Sequence, residues 1–142
     1  SIRLSPQKSR WKNQFSKLNS SKFHEKIRQI FISDDFFKNL SCYQEVKVSN
    51  LVPGYQSNQH AVDWYVEELM LIIELHGEQH YTPTNFGNSS FEQTNIAFNN
   101  IRYRDNLKKT ALEDNGYTYL EIPYKDITKL NSEYLKNKIF KG

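Results

Sequence analysis

At 142 residues the chain is long enough for one domain with a real hydrophobic core, and an aromatic share of 14% sets it apart from disordered sequences. A single cysteine, Cys42, excludes an intrachain disulfide and a cysteine-based zinc site. No apolar run approaches the ~20 residues of a membrane span, and the residues after Ser1 do not read as a signal peptide, so the expected setting is intracellular, reducing and cytoplasmic.

The net charge of +3 conceals an uneven distribution. Residues 1–24 carry six basic side chains, Arg3, Lys8, Arg10, Lys12, Lys17 and Lys22, and no acid. Between Lys38 and Arg102 the balance reverses, with Lys47 alone against seven acids. Cations for phosphates beside carboxylates for a metal are what a DNA-binding, metal-dependent enzyme requires, although a solubilising tail explains the basic end equally well.

Taken in chain order, residues 1–19 read as a basic arm outside the core, with Trp11, Phe15 and Leu18 as anchors, and residues 20–142 as one domain. Ser20 or Ser21 caps a helix in which Phe23, Ile27, Ile30 and Phe31 recur at helical spacing. YQEVKVS, residues 43–49, alternates like a strand and is broken by Pro53 and Gly54. AVDWYV and LMLIIEL follow as two strands of a hairpin turning at Glu67 and Glu68. Residues 82–100, rich in Asn, Ser and Thr, read as a long polar loop running into a helix with Ile101, Leu107, Ala111 and Leu112, ended by Gly116. YTYLEIP is a further strand, and residues 126–140 form a closing helix with Ile127, Leu130, Tyr134 and Ile139. Helix, three strands, helix, strand, helix is the order of an α/β protein built on a mixed sheet.

The hairpin ends in an unusual way for a buried strand, with Glu74, His76, Glu78 and His80. A turn centred on Glu68 and Leu69 sets Asp63 opposite Glu74, with Cβ atoms about 4.5–5.5 Å apart. Two carboxylates so close repel unless a positive charge sits between them, and Mg²⁺ favours one or two carboxylates completed by water and phosphate oxygens. His76, on the same face two residues on, is suited to accept a proton from an attacking water. The alternative is an ordinary solvated strand tip. A zinc reading of His76 with His80 is a second alternative, weakened by Gly77, which argues for a turn over a helix.

LIIELHGEQHY, joined after a gap to IRYRDNLKKTALEDNGYTYLEIP, resembles the core of the very short patch repair endonuclease-like branch of the PD-(D/E)XK nuclease superfamily. The ordered features are an acid ahead of a hydrophobic strand, a Glu-x-x-Gly-x-x-His string, a helix with Arg-Asp and basic residues, and a Gly-aromatic run into the last strand. They span residues 23 to about 127. The resemblance implies a restriction-endonuclease-like fold, a central mixed sheet flanked by helices, and Mg²⁺- or Mn²⁺-dependent cleavage of DNA. Asp63 and Glu74 would ligate metal with the Leu75 carbonyl, and His76 stands where many members keep Lys, as in the EDxHD-type homing endonucleases. Glu25 matches the superfamily's helical Glu, while Gln79 and His80 fill the Gly-x-x-His part, His80 as a phosphate-orienting residue or acid. Asp105 is a loose match to the last acid.

Two departures stand out. The structural zinc of the repair enzymes cannot be reproduced with Cys42 alone, which favours a homing-type or phage-like enzyme over mismatch nicking. The missing Lys leaves Lys47, Arg104 or Lys108 to supply the cation at the transition state. Contacts to phosphate are expected from these three, from Lys12, Gln79 and Arg102, and from the arm and the 82–100 loop. The expected partner is double-stranded DNA, with a homodimer or additional DNA-binding domains, in a bacterial or phage-like context. The competing functions are a catalytically silent nucleic-acid-binding domain, and a nuclease acting on RNA or branched DNA.

Overall fold

The computed structural model describes residues 11–18, 21–77 and 91–141, leaving aside the side chains of 91–94. The elements are α1 (Lys22–Ser33), β1 (Cys42–Lys47), a single turn α2 (Val48–Leu51), β2 (Ala61–Val66), β3 (Leu71–His76), α3 (Phe91–Asp114), β4 (Thr118–Pro123) and α4 (Ser132–Phe140). The order read from the sequence holds, with α2 added. Ser21 caps α1 by accepting a hydrogen bond from the His24 N–H. Gly116, at φ +92°, follows the end of α3 in the left-handed region that only glycine adopts without strain. α3 starts at Phe91, so residues 91–100 are helix where the sequence suggested loop. Their many Asn residues are poor helix formers, and the continuation of a long helix outweighs that weak local preference. None of the helices among the described residues is long and apolar enough to cross a membrane.

The strands form one mixed sheet in the order β1-β2-β3-β4. β1–β2 and β2–β3 are antiparallel, and α3 carries the chain back so that β4 lies parallel to β3. Two apolar clusters sandwich the sheet. On one side Phe23, Ile27 and Phe31 of α1 and Leu135 of α4 cover Trp64, Ile73 and Leu75. On the other, Val46, Val62, Tyr65 and Ile72 pack with Leu112 of α3.

The N-terminal stretch is not wholly outside the core. Lys12 pairs through its backbone with Gln44 of β1, and Trp11 meets Tyr43 and Tyr65 edge-on. The Gln14 side chain is 1% exposed, and its amide donates to the Leu40 carbonyl at 2.9 Å. Trp11 to Ser16 therefore extend the domain, and the expected arm boundary at residue 19 falls too late. The packing of a polar glutamine could not be anticipated from a stretch whose composition is basic and hydrophilic.

Register in the hairpin is Trp64↔Ile73, Tyr65↔Ile72 and Val66↔Leu71, around one tight turn of Glu67–Leu69 and a left-handed Met70 at φ 46°. Across the other edge of β2, the pairing with β1 runs regularly but omits Glu45 and Asp63. Glu45 has φ 51°, a costly backbone for a residue with a Cβ. This kink explains why Trp64 and Val62, two residues apart, serve opposite clusters. Glu45→Gly should be tolerated or stabilising, although glycine normally weakens a strand. Glu45→Val, a better strand former, should cost about 1–2 kcal/mol because a β-branched side chain tolerates the left-handed region poorly. Urea denaturation of both variants checks the pair, and the reverse ranking would remove the argument.

Candidate functional site

Period-two alternation on β3 puts Glu74 and His76 on the face of Ile72, beneath α3. Two strand residues advance ~6–7 Å and four helical residues ~6 Å, so a helix running back along the strand can match it step for step. The buried stripe of α3 is Leu112, Lys108 and Asp105. Leu112 joins the cluster of Ile72, Lys108 reaches Glu74, and Asp105 comes to 3.9 Å from His76. The helix thus presents an apolar residue at one end of the row and charged ones at the other.

Asp63 sits where β2 parts from β3. Its Oδ2 accepts a hydrogen bond from the Leu75 N–H at 2.7 Å, taking the place of a ladder carbonyl, and its Oδ1 is 3.4 Å from His24 Nε2 on α1. A strand residue's N–H and C=O leave on the same side, so the Leu75 carbonyl also faces β2. Continuing the hairpin register sets Asp63 against Glu74, close enough for each carboxyl to perturb the other. Burial opposes ionisation of Asp63, yet the bonds from His24 and from the Leu75 N–H outweigh it and hold this carboxyl below its ordinary range. Glu74, 4% exposed, goes the other way. Burial pushes it up to about 8; the Lys108 ammonium pulls against this and Asp63 adds to it. Burial and its neighbour thus favour the neutral form of Glu74, and the bonds around Asp63 favour its ionised form.

Lys108 Nζ donates to Glu74 Oε2 at 2.8 Å and to the Ala61 carbonyl at 2.9 Å. It is the cation of α3 that comes to the acids. Arg104, one turn earlier, lines the same cleft of about 460 Å³ together with Asp63, Glu74 and Leu75. Gln59, His60, Ala61 and Asp105 complete its wall. His76 is 3% exposed and flanked by Asp105 and by Glu121 of β4, each at 3.9 Å. It forms part of a buried network with Asp105.

The other sequence candidates divide clearly. Glu25 is turned to its own helix, bonded to Gln29 at 2.7 Å and Arg28 at 3.1 Å, and the α1 residue that reaches Asp63 is its neighbour His24. Glu25 instead lines a separate groove with Tyr124 and Ile127. Lys47 is spent on the Asn58 carbonyl at 2.9 Å, and Arg102 lies over the Phe98 ring. Lys12 contributes backbone to β1, and Gln79 and His80 lie outside the described residues. Glu45 is exposed to solvent. His24, His60 and Glu121 were missed. Glu121 had a signal, since a parallel β4 in register puts it beside Glu74; the two histidines come from other elements and had none.

No family model matches the chain, and no solved structure matches it significantly. It is similar to "Uncharacterized protein 307L" of Invertebrate iridescent virus 6, 39% identical over 80 residues, which are 55% of this chain and 36% of the relative. It is also similar to "Uncharacterized protein 033L" of Invertebrate iridescent virus 3, 33% identical over 67 residues, 47% of this chain and 32% of the relative. The match thus spans about a third of the length of these curated relatives.

The state of Glu74 has a measurable consequence. Between its ordinary 4.5 and about 8, the folded chain keeps a proton that the unfolded chain releases. Stability should therefore fall as pH rises through this window, by up to about 1.4 kcal/mol per pH unit. Asp63, shifted down, contributes only at more acidic pH, where its stabilisation is lost as pH falls. Denaturation of the metal-free protein at pH 5 and pH 8 should show the drop, and Glu74→Gln should flatten it. An equal drop in the variant would assign it to another group.

Proposed function

We propose that this domain is a Mg²⁺- or Mn²⁺-dependent endonuclease that hydrolyses phosphodiester bonds of DNA, on a restriction-endonuclease-like sheet. The observation that carries the reading is the convergence of Asp63 and Glu74 in one cleft that Arg104 and Lys108 also line. The residues fit the cation. Asp63, Glu74 and the Leu75 carbonyl are hard oxygen donors, and two neighbouring carboxyls gain from a positive ion between them. With two carboxylates and one carbonyl as ligands, Mg²⁺ would complete its coordination with water and phosphate oxygens. When bound, such an ion supplies charge stabilisation at the phosphoryl group.

The chain's own residues carry the remainder. Arg104 and Lys108 draw the phosphate into the cleft, and Lys108 takes the part of the lysine that His76 replaces on the strand. His24 and the Leu75 N–H hold Asp63 ionised and oriented. His76, Asp105 and Glu121 form the buried support beneath.

A second reading, a catalytically silent nucleic-acid-binding domain, is favoured by the Lys108–Glu74 bond, which already gives Glu74 Oε2 a cationic partner without any metal. Nicking of supercoiled plasmid with Mg²⁺ or Mn²⁺ separates the two. Cleavage is expected, lost in Asp63→Ala with the fold intact by circular dichroism, and reduced roughly 10²–10³-fold in Lys108→Met. Full activity of Asp63→Ala would remove the nuclease reading, and plasmid binding with no cleavage under either metal would select the silent domain. Branched DNA and RNA in the same assay distinguish a structure-specific or RNA nuclease.

A further inference from the structure

The cleft wall holds a histidine that no motif of the sequence singles out. His60 lies just ahead of β2, three residues before Asp63, in the same cleft as Asp63, Glu74, Arg104 and Lys108. Its placement is fixed twice. The carbonyl accepts from the Val48 N–H at 2.9 Å, and ring Nδ1 is 2.8 Å from the Tyr55 hydroxyl oxygen. With Nδ1 engaged there, Nε2 is the ring nitrogen left for the cleft, and it makes no hydrogen bond among the described residues. His76, in contrast, is packed between α3 and β4 with Asp105 and Glu121 beside it.

We propose that His60, oriented by an Nδ1–H bond donated to Tyr55 Oη, takes the proton of the attacking water through Nε2, so that the base comes from the loop before β2 and not from His76. This rests on the phosphodiester-hydrolysis reading above. In the step, the water oxygen bonds to phosphorus, one water proton passes to Nε2, and the bond from phosphorus to the departing sugar oxygen breaks. That oxygen takes a proton from solvent water, and His60 returns its proton to solvent through the cleft mouth, for net addition of one water. The surroundings suit a base. Burial, then Lys108 and Arg104, hold the imidazole below its ordinary range and so neutral near pH 7. The charged and titratable groups around it are Tyr55 on its own loop, Arg104, Lys108 and Asp105 on α3, and Asp63 and Glu74 on the sheet.

Chemical rescue on the full chain tests this. His60→Ala should lose at least about 100-fold in plasmid cleavage while keeping its melting temperature and plasmid affinity, and added imidazole should restore part of the rate. Tyr55→Phe should lose less, with binding unchanged. Nitrogen-15 NMR of the unaltered chain should find the neutral His60 ring protonated on Nδ1, a readout independent of activity and decisive even if His60→Ala folds poorly. Wild-type cutting by His60→Ala, a loss that imidazole does not relieve, or a ring protonated on Nε2 overturns the assignment and leaves the nuclease reading standing. A wild-type chain inert with both Mg²⁺ and Mn²⁺ overturns both.

Discussion

The site depends on the register of one hairpin. Asp63 and Glu74 converge because a single tight turn at Glu67–Leu69 leaves no slack between β2 and β3. Slippage by one residue would turn Glu74 and His76 into the apolar layer of Trp64 and Phe31, and Ile73 and Leu75 out of it. The hydrophobic face of β3 thereby guards the polar one. The separation of the strands at Asp63, opposite the left-handed Glu45, then turns a ladder position into a side-chain ligand for the Leu75 N–H.

The division of labour between the two faces follows from the cost of buried charge. The side under α1 and α4 is predominantly apolar, from Phe23 to Leu135, with Gln14 buried at its margin, and supplies hydrophobic stabilisation. The side under α3 buries Glu74, His76, Asp105 and Lys108. Desolvating such groups costs several kcal/mol each, and a helix chosen for stability alone would offer leucines at positions 105 and 108. Buried charge gathered in one connected place, against the packing rule kept on the other face, is the ground for the proposal that the site is functional. The apolar face tolerates the expense, and Leu112 with Ile72 anchors α3 at the far end of the same row.

Much of the fold was legible because its elements are locally encoded. The apolar spacing of α1, the AVDWYV and LIIELH runs, and Gly116 after α3 each carry their own signal. The start of α3 was not, since its Asn-rich first turns lack helical periodicity, nor was the docking of Trp11 and Gln14, which depends on partners far along the chain. Within the site, Asp63 and Glu74 could be paired by counting along a hairpin, a local operation. Choosing Lys108 over Lys47 and Arg104, or His24 over Glu25, required knowing which face of a helix meets the sheet.

The sequence by itself determined the α/β element order, the hairpin register and the acids that register brings together, because each is set by short-range periodicity and turn length. Only the tertiary structure decided which cation meets Glu74, which histidine touches Asp63 and which one lines the cleft. Those side chains come from α1, α3 and the loop before β2, and their meeting is set by helix packing across a sheet, for which neighbours in sequence carry no record.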